Sequence, residues 1–181
     1  MSGLSMYEQV MGNSFAQLPV AVQRFHRLSG HKVLNGWVDT QAPSTAVGKL
    51  LALCLGTPMR ATSGAIRFEL DAAPDEETWT RHFPSKKTTS QLCRSGGFVV
   101  EHLGAARLTF GLYVVEGRLA MQLKKLYFLG VPCPGWLLPR IVAEESGHGD
   151  QLHFTVSASL PVVGRVASYS GHLVVSDNDC S

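Results

Sequence analysis

From Ile66 onward, apolar and polar residues alternate with a period of two, the spacing of a strand with one buried face. Ile66, Phe68 and Leu70 alternate with Arg67 and Glu69. Trp79, Arg81 and Phe83 share one face, with Thr80 and His82 opposite. The same reading predicts strands over 87–93, 97–103, 107–115, 118–128, 152–160 and 165–175. An earlier strand runs from Val33 to Asp39, with an irregularity at Gly36. Glu116-Gly117 marks a tight hairpin between two long strands, and Gly147 to Asp150 marks another turn. Pro132, Pro134 and Pro139 interrupt the stretch 130–139. Proline cannot donate to a strand ladder, so this stretch is read as a wide loop with one helical turn.

The period changes to that of a helix in two earlier places. Leu18, Val22, Phe25 and Leu28 fall at helical spacing after Pro19, which suits a first turn. Ser44 or Thr45 caps a second helix running to about Leu55. Its residues Val47, Leu50, Leu51, Leu53, Cys54 and Leu55 are apolar nearly all round, which predicts burial on most faces. Residues 1–17 read as a loosely ordered lead with a short helix around Met6–Met11. Residues 18–176 read as one β-rich domain, and 177–181 as a tail. The expected fold is mainly β, within the α+β class. It is a curved antiparallel sheet or barrel, lipocalin-like or helix-grip-like, with two helices packed on its open side.

The chain has 181 residues, enough for one domain with a full core. Charged residues make up 17%, below the ~25% usual for soluble domains. The apolar surplus fits an interior that encloses a pocket, or a homo-oligomer interface. Net charge is +2, and the basic pairs Lys86-Lys87 and Lys124-Lys125 are isolated, so no nucleic-acid partner is expected. The longest apolar run, Leu50–Leu55, is too short to span a bilayer. Cys54, Cys93, Cys133 and Cys180 form no CxxC pair and no export signal is visible, so all four are read as reduced thiols in the cytoplasm.

Strand geometry carries Arg81 to the same side as Trp79 and Phe83. Two large aromatics mark that side as inward, and a buried guanidinium needs a carboxylate. Glu101, in phase with Val99 and Leu103, is one candidate partner, and Glu144 is a second. Either Arg81 anchors an anionic or carbonyl group in a lined pocket, or it forms a structural ion pair that closes the sheet. Trp79, Arg81, Phe83, Glu101, Glu144 and Tyr169 are the candidate ligand-binding residues, and no catalytic residue is assigned. Tyr169, Glu101 and Arg81 could together polarise a carbonyl and move a proton. The seven histidines show no HExxH spacing, and His148 and His153 flank a turn, so no metal site is expected. No GxSxG elbow occurs, and Cys93 beside Arg94 reads as a small apolar residue at a strand end.

A series of ordered landmarks gives a family resemblance over most of residues 18–175. They run from Leu18-Pro19 and Arg24-Phe25-His26 through Trp79, Arg81 and Phe83 to Glu101 and Gly104. They continue with Gly130, Pro132, Pro134 and Leu138-Pro139, then Ala143-Glu144 and Phe154. The last are Leu160-Pro161, Gly164, Tyr169 and Gly171. In these the chain resembles the uncharacterised domain-of-unknown-function family 4166. Pro84-Ser85 departs from the glycines expected after the Trp-Thr-Arg-His-Phe segment. The resemblance implies at most an accessory or ligand-binding role, and no cofactor is expected. Related domains often follow a nucleotide-dependent dehydrogenase-like domain or sit beside membrane segments, but neither a GxGxxG fingerprint nor a bilayer-spanning apolar run occurs in this chain.

Two function classes follow from a mostly apolar pocket with a few polar groups. One is a binding domain for an apolar small molecule or lipid-like ligand. The other is a small cofactor-free enzyme, of cyclase or isomerase type, acting on a hydrophobic substrate in the same cavity. A structural role through an oligomer interface is the third.

Overall fold

Each alternating segment forms a strand, and almost every strand pairs antiparallel with its neighbour in sequence. The computed structural model describes residues 3–176. Strands β1 (Gly30–Gln41), β2 (Thr62–Ala72), β3 (Glu76–His82), β4 (Lys87–Ser95), β5 (Phe98–Leu103), β6 (Ala106–Val115) and β7 (Arg118–Phe128) follow one another around a wall. The wall continues through β9 (Arg140–His148), β10 (Gln151–Leu160) and β11 (Gly164–Val174), and β11 returns to β1. These ten strands close a barrel. A two-residue strand, β8 (Val131–Pro132), pairs with the end of β7. Of the curved sheet and the barrel that the sequence left open, the structure is the closed barrel. At the β6–β7 hairpin, Glu116 and Gly117 both have positive φ, 50° and 72°. That turn matches the right-handed twist of the flanking strands.

The sequence pattern missed β9. Its inward set is Ile141, Ala143 and Glu145, in which only Ile141 is a large apolar residue, so the alternation is faint. The seam it forms with β7 is short. Leu119 pairs with Glu145 and Ala120 with Glu144. Those two pairs are the backbone pairing of β7 with β9 among the described residues, and the far end of β7 pairs instead with Val131 and Pro132, ahead of a helical turn at Gly135–Leu137.

One end of the barrel is plugged. Helix α1 (Met6–Met11) starts with a capping box between Ser5 and Glu8. A 3-10 segment (Gly12–Gln17) leads to α2 (Val20–His26), which packs on β9 and β10. Residues 5–17, expected to be loosely ordered, contribute Met6, Tyr7, Met11 and Phe15 to the core. Phe25 meets Phe68 and Trp79 edge-on, at centroid distances of 5.6 and 5.8 Å.

The third helix, α3 (Ala46–Leu55), crosses the other end. Thr45 caps it by accepting from the Gly48 amide, and its hydroxyl donates to the Val163 carbonyl at 2.7 Å. At the far end, the Ala105 amide donates to the Cys54 carbonyl and the Thr88 hydroxyl to the Gly56 carbonyl. The helix is thus tied to the β10–β11 turn on one side and to β4 and the β5–β6 turn on the other. Gly104 makes this approach possible. Its φ is +53°, and a Cβ there would stand 2.4 Å from the Cys54 carbonyl oxygen.

The expectation that α3 is buried on most faces is corrected. Only Gly48 and Ala52 are buried, while Val47, Leu50 and Leu53 face outward. A sheet that closes on itself leaves no open concave face to grip a helix. The opposite end of the interior is plugged by α1 and α2, and α3 rests on the rim.

Candidate functional site

Between the plug and α3 lies a cavity of about 390 Å³. Its upper part is aliphatic and aromatic, with Leu55, Met121, Phe128, Ile141 and Val156 among its walls. Its polar groups include Arg81, Glu101, Glu145 and Tyr169.

Arg81 reaches the interior because β3 alternates Glu77, Trp79 and Arg81 inward. It is 8% exposed. One guanidinium nitrogen, Nη1, donates to the Ser90 hydroxyl at 3.1 Å. The other, Nη2, forms the expected ion pair with Glu101, but a loose one, at 3.7 Å from Oε1 and beyond hydrogen-bond reach. The guanidinium also lies over the Trp79 ring, 5.1 Å from its centroid. Strand pairing explains the spacing. Arg81 is on β3 and Glu101 on β5, with β4 and Ser90 between them.

Tyr169, inward on β11, packs edge-on against Phe83 and Phe154. Burial raises its hydroxyl pKa above the ordinary 10.0, with Glu101 and Glu145 adding to the shift and Arg81 opposing it.

Beneath these groups, where the plug meets the wall, is a second set of polar residues. His26 Nε2 meets Glu145 Oε2 at 2.6 Å. The Tyr7 ring stacks on His26, with centroids 3.6 Å apart. The Trp79 indole N–H donates to Glu77 Oε2 at 2.7 Å. The Tyr7 hydroxyl and His26 Nδ1 are buried without a hydrogen-bond partner among the described residues. Burial holds the Glu77 carboxyl above its ordinary 4.5, although nearby His26 and the indole donor pull it down.

A raised carboxyl favours the folded state while protonated. That contribution is complete below the unfolded value near 4.5 and is lost as pH rises through the higher folded value. Glu77→Gln keeps an acceptor for Trp79 and cannot ionise. Wild type should therefore lose stability relative to Glu77→Gln as pH rises from about 4 to 7. Denaturant unfolding of both proteins at stepped pH checks this, and a pH-independent difference contradicts it.

The ordered landmarks of the sequence fall on these same elements. The family model described as Domain of unknown function (DUF4166) matches residues 18–173, from α2 through almost all of β11. The chain belongs to the DUF4166 family. The match includes every wall strand and His26, whereas Tyr7 and α1 lie outside it. No curated protein matches the DUF4166 chain. Among solved structures it is similar to Rv2717c from M. tuberculosis, at 12% identity and a TM-score of 0.46. The alignment covers 88% of this chain and 99% of that one.

Of the six candidates in this DUF4166 chain, Trp79, Arg81, Glu101 and Tyr169 line the cavity, Phe83 is buried against Tyr169, and Glu144 borders the cavity but turns its carboxylate outward. Glu144 does not pair with Arg81. Its carboxylate accepts from Arg118 at 3.3 Å, and its side chain is half-exposed. The neighbouring Glu145 takes the inward position, because β9 places Ile141, Ala143 and Glu145 on one face and Glu144 on the other. Glu145, His26 and Glu77 were missed. Glu145 was readable from its phase with Ile141 and Ala143, and Glu77 from its phase with Trp79. His26 was readable as inward from its place four residues after Val22 on the apolar face of α2, but its partner is distant in sequence. His82, opposite Arg81 on β3, points outward to Glu69 at 3.2 Å. Cys54, Cys93 and Cys133 are free thiols, and Cys180 lies outside the described residues.

Proposed function

We propose that this domain binds an apolar small molecule or lipid-like ligand, with its hydrocarbon part in the upper cavity and its polar end at Arg81. The observation that supports this most is the incomplete pairing of Arg81. A guanidinium acting only as a strut favours close, bidentate contact with a carboxylate. Arg81 instead makes one side-chain hydrogen bond, to Ser90, and stays 3.7 Å from Glu101. It has five N–H donors, so it retains capacity for a ligand oxygen. The cavity volume is also within the ~300–1,000 Å³ common to small-molecule sites. A cytoplasmic setting belongs to this reading, and the three free thiols are consistent with it.

Calorimetric titration with dodecanoate and with dodecanol tests the anchor. Dodecanoate should bind one per barrel, and roughly tenfold or more tighter than the alcohol, because it accepts charge-assisted hydrogen bonds. Equal affinity for the two, or binding of neither, would overturn the proposal.

The second reading is a cofactor-free enzyme of cyclase or isomerase type in the same cavity. It draws on Tyr169, Glu101 and Glu145, proton-carrying groups around one cation. A change in ligand mass or structure after incubation with the protein would favour it.

A further inference from the structure

The outside of the α3 end is unusually apolar. Trp136 is 79% exposed and Leu50 61% exposed. Leu53, Leu129, Val131 and Val162 are exposed on the same end of the barrel. They come from three separate connections: α3, the 129–139 segment and the β10–β11 turn. Sequence separation on this scale rules out one stray hydrophobic loop, since the topology itself gathers these side chains at one rim.

Unpaired charge is sorted along the barrel in the same sense. Among the described residues the α3 end has one exposed carboxylate, Asp39 near the end of β1, which accepts from the Ser63 hydroxyl. Plugged-end cations such as Arg27 and Arg94 are paired to Glu8 and Asp75. No Asp or Glu occurs in residues 40–68, 78–100, 102–115, 117–143 or 151–176. These stretches contain every connection at the α3 end. Exposed cations there are Lys49, Arg60, Lys87, Arg107 and Arg140. None of the five forms an ion pair among the described residues. The carboxylates Asp71, Asp75, Glu76, Glu116 and Asp150 lie toward the plugged end. A net charge of only +2 conceals this polarity.

We infer that the α3 end of the barrel docks on an anionic lipid surface, with Trp136, Leu50 and their neighbours entering the headgroup boundary and the surrounding cations meeting lipid phosphates. Tryptophan and leucine beside lysine and arginine is the composition of an interfacial binding face. Anionic headgroups attract such cations over short range. A second copy presenting the same face would oppose cation to cation, which disfavours a symmetric dimer there. An anionic polymer would match the cations and leave the leucines and Trp136 in water. This docking is independent of what the cavity holds, since it rests on outward-facing residues alone.

Flotation of the full chain with vesicles tests it. Vesicles of phosphatidylcholine doped with phosphatidylglycerol should carry the protein upward. Pure phosphatidylcholine should bind roughly tenfold less, and added salt should weaken binding to the doped vesicles. The double variant Trp136→Ser with Leu50→Ser should lose roughly tenfold or more of the partitioning. Both side chains are exposed, so its circular dichroism should match wild type. Glu116→Gln, at the opposite end, should bind as wild type does. The inference is overturned if folded wild type stays in solution with both vesicles, or if the double variant floats equally well. A wild-type dimer that the double variant dissociates would assign this face to a second copy and would also overturn it.

Discussion

Replacing His26 with alanine should destabilise the folded protein by about 3–5 kcal/mol, the cost of stranding one member of a buried pair. His26 and Glu145 are 2.6 Å apart, with side chains 0% and 10% exposed. The substitution leaves the Glu145 carboxylate without its partner. It also removes the ring that stacks on Tyr7 at 3.6 Å, opening a hole between plug and wall. The double variant His26→Ala with Glu145→Gln should recover part of the loss, because the remaining group is then neutral. Denaturant unfolding of the two variants and wild type checks both statements. A loss below about 1 kcal/mol for His26→Ala would mean that the plug is not held by this pair.

Arg81→Met should act mainly on binding. Its contact with Glu101 is 3.7 Å, looser than a tight buried pair, and Glu101 lines the cavity. The expected stability loss is therefore about 1–3 kcal/mol, the scale of an unsatisfied polar group rather than a stranded tight pair. Dodecanoate affinity should fall by roughly ten- to a hundredfold, matching the loss of charge-assisted hydrogen bonds worth about 1.5–3 kcal/mol. Adding Glu101→Gln should restore some stability and none of the affinity. The opposite pattern, a large stability loss with unchanged affinity, would make Arg81 a structural strut.

The strands were legible in the sequence wherever one face is apolar. In Ile66–Leu70 and Trp79–Phe83, local alternation alone sets which side chains go in. Strand β9 escaped because its inward face consists of Ile141, Ala143 and Glu145, and because three prolines precede it. That gap also explains the choice of Glu144 over Glu145. In a strand, a shift of one residue exchanges the two faces. Other features depend on pairing between distant segments. Closure requires β1 to meet β11, and the exposure of α3 follows from closure. The burial of His26 requires Tyr7 from α1 and Glu145 from β9, which no local pattern brings together. Arg81 and Glu101 were readable as inward residues. Their separation was not, because it is fixed by the intervening strand β4.

The central claim is that the cavity, rather than the apolar rim outside it, receives the ligand. Ala143 lines the cavity, and a tryptophan there would occupy the ligand's volume. The cost of overfilling is about 1–3 kcal/mol, which leaves the fold intact in a typical domain. The most direct measurement is the titration of wild type and Ala143→Trp with one fluorescent long-chain carboxylic acid, after circular dichroism has shown both to be folded. Wild type should show one saturable site per chain and Ala143→Trp none. Equal binding by the two proteins would place the ligand outside the barrel and contradict the account.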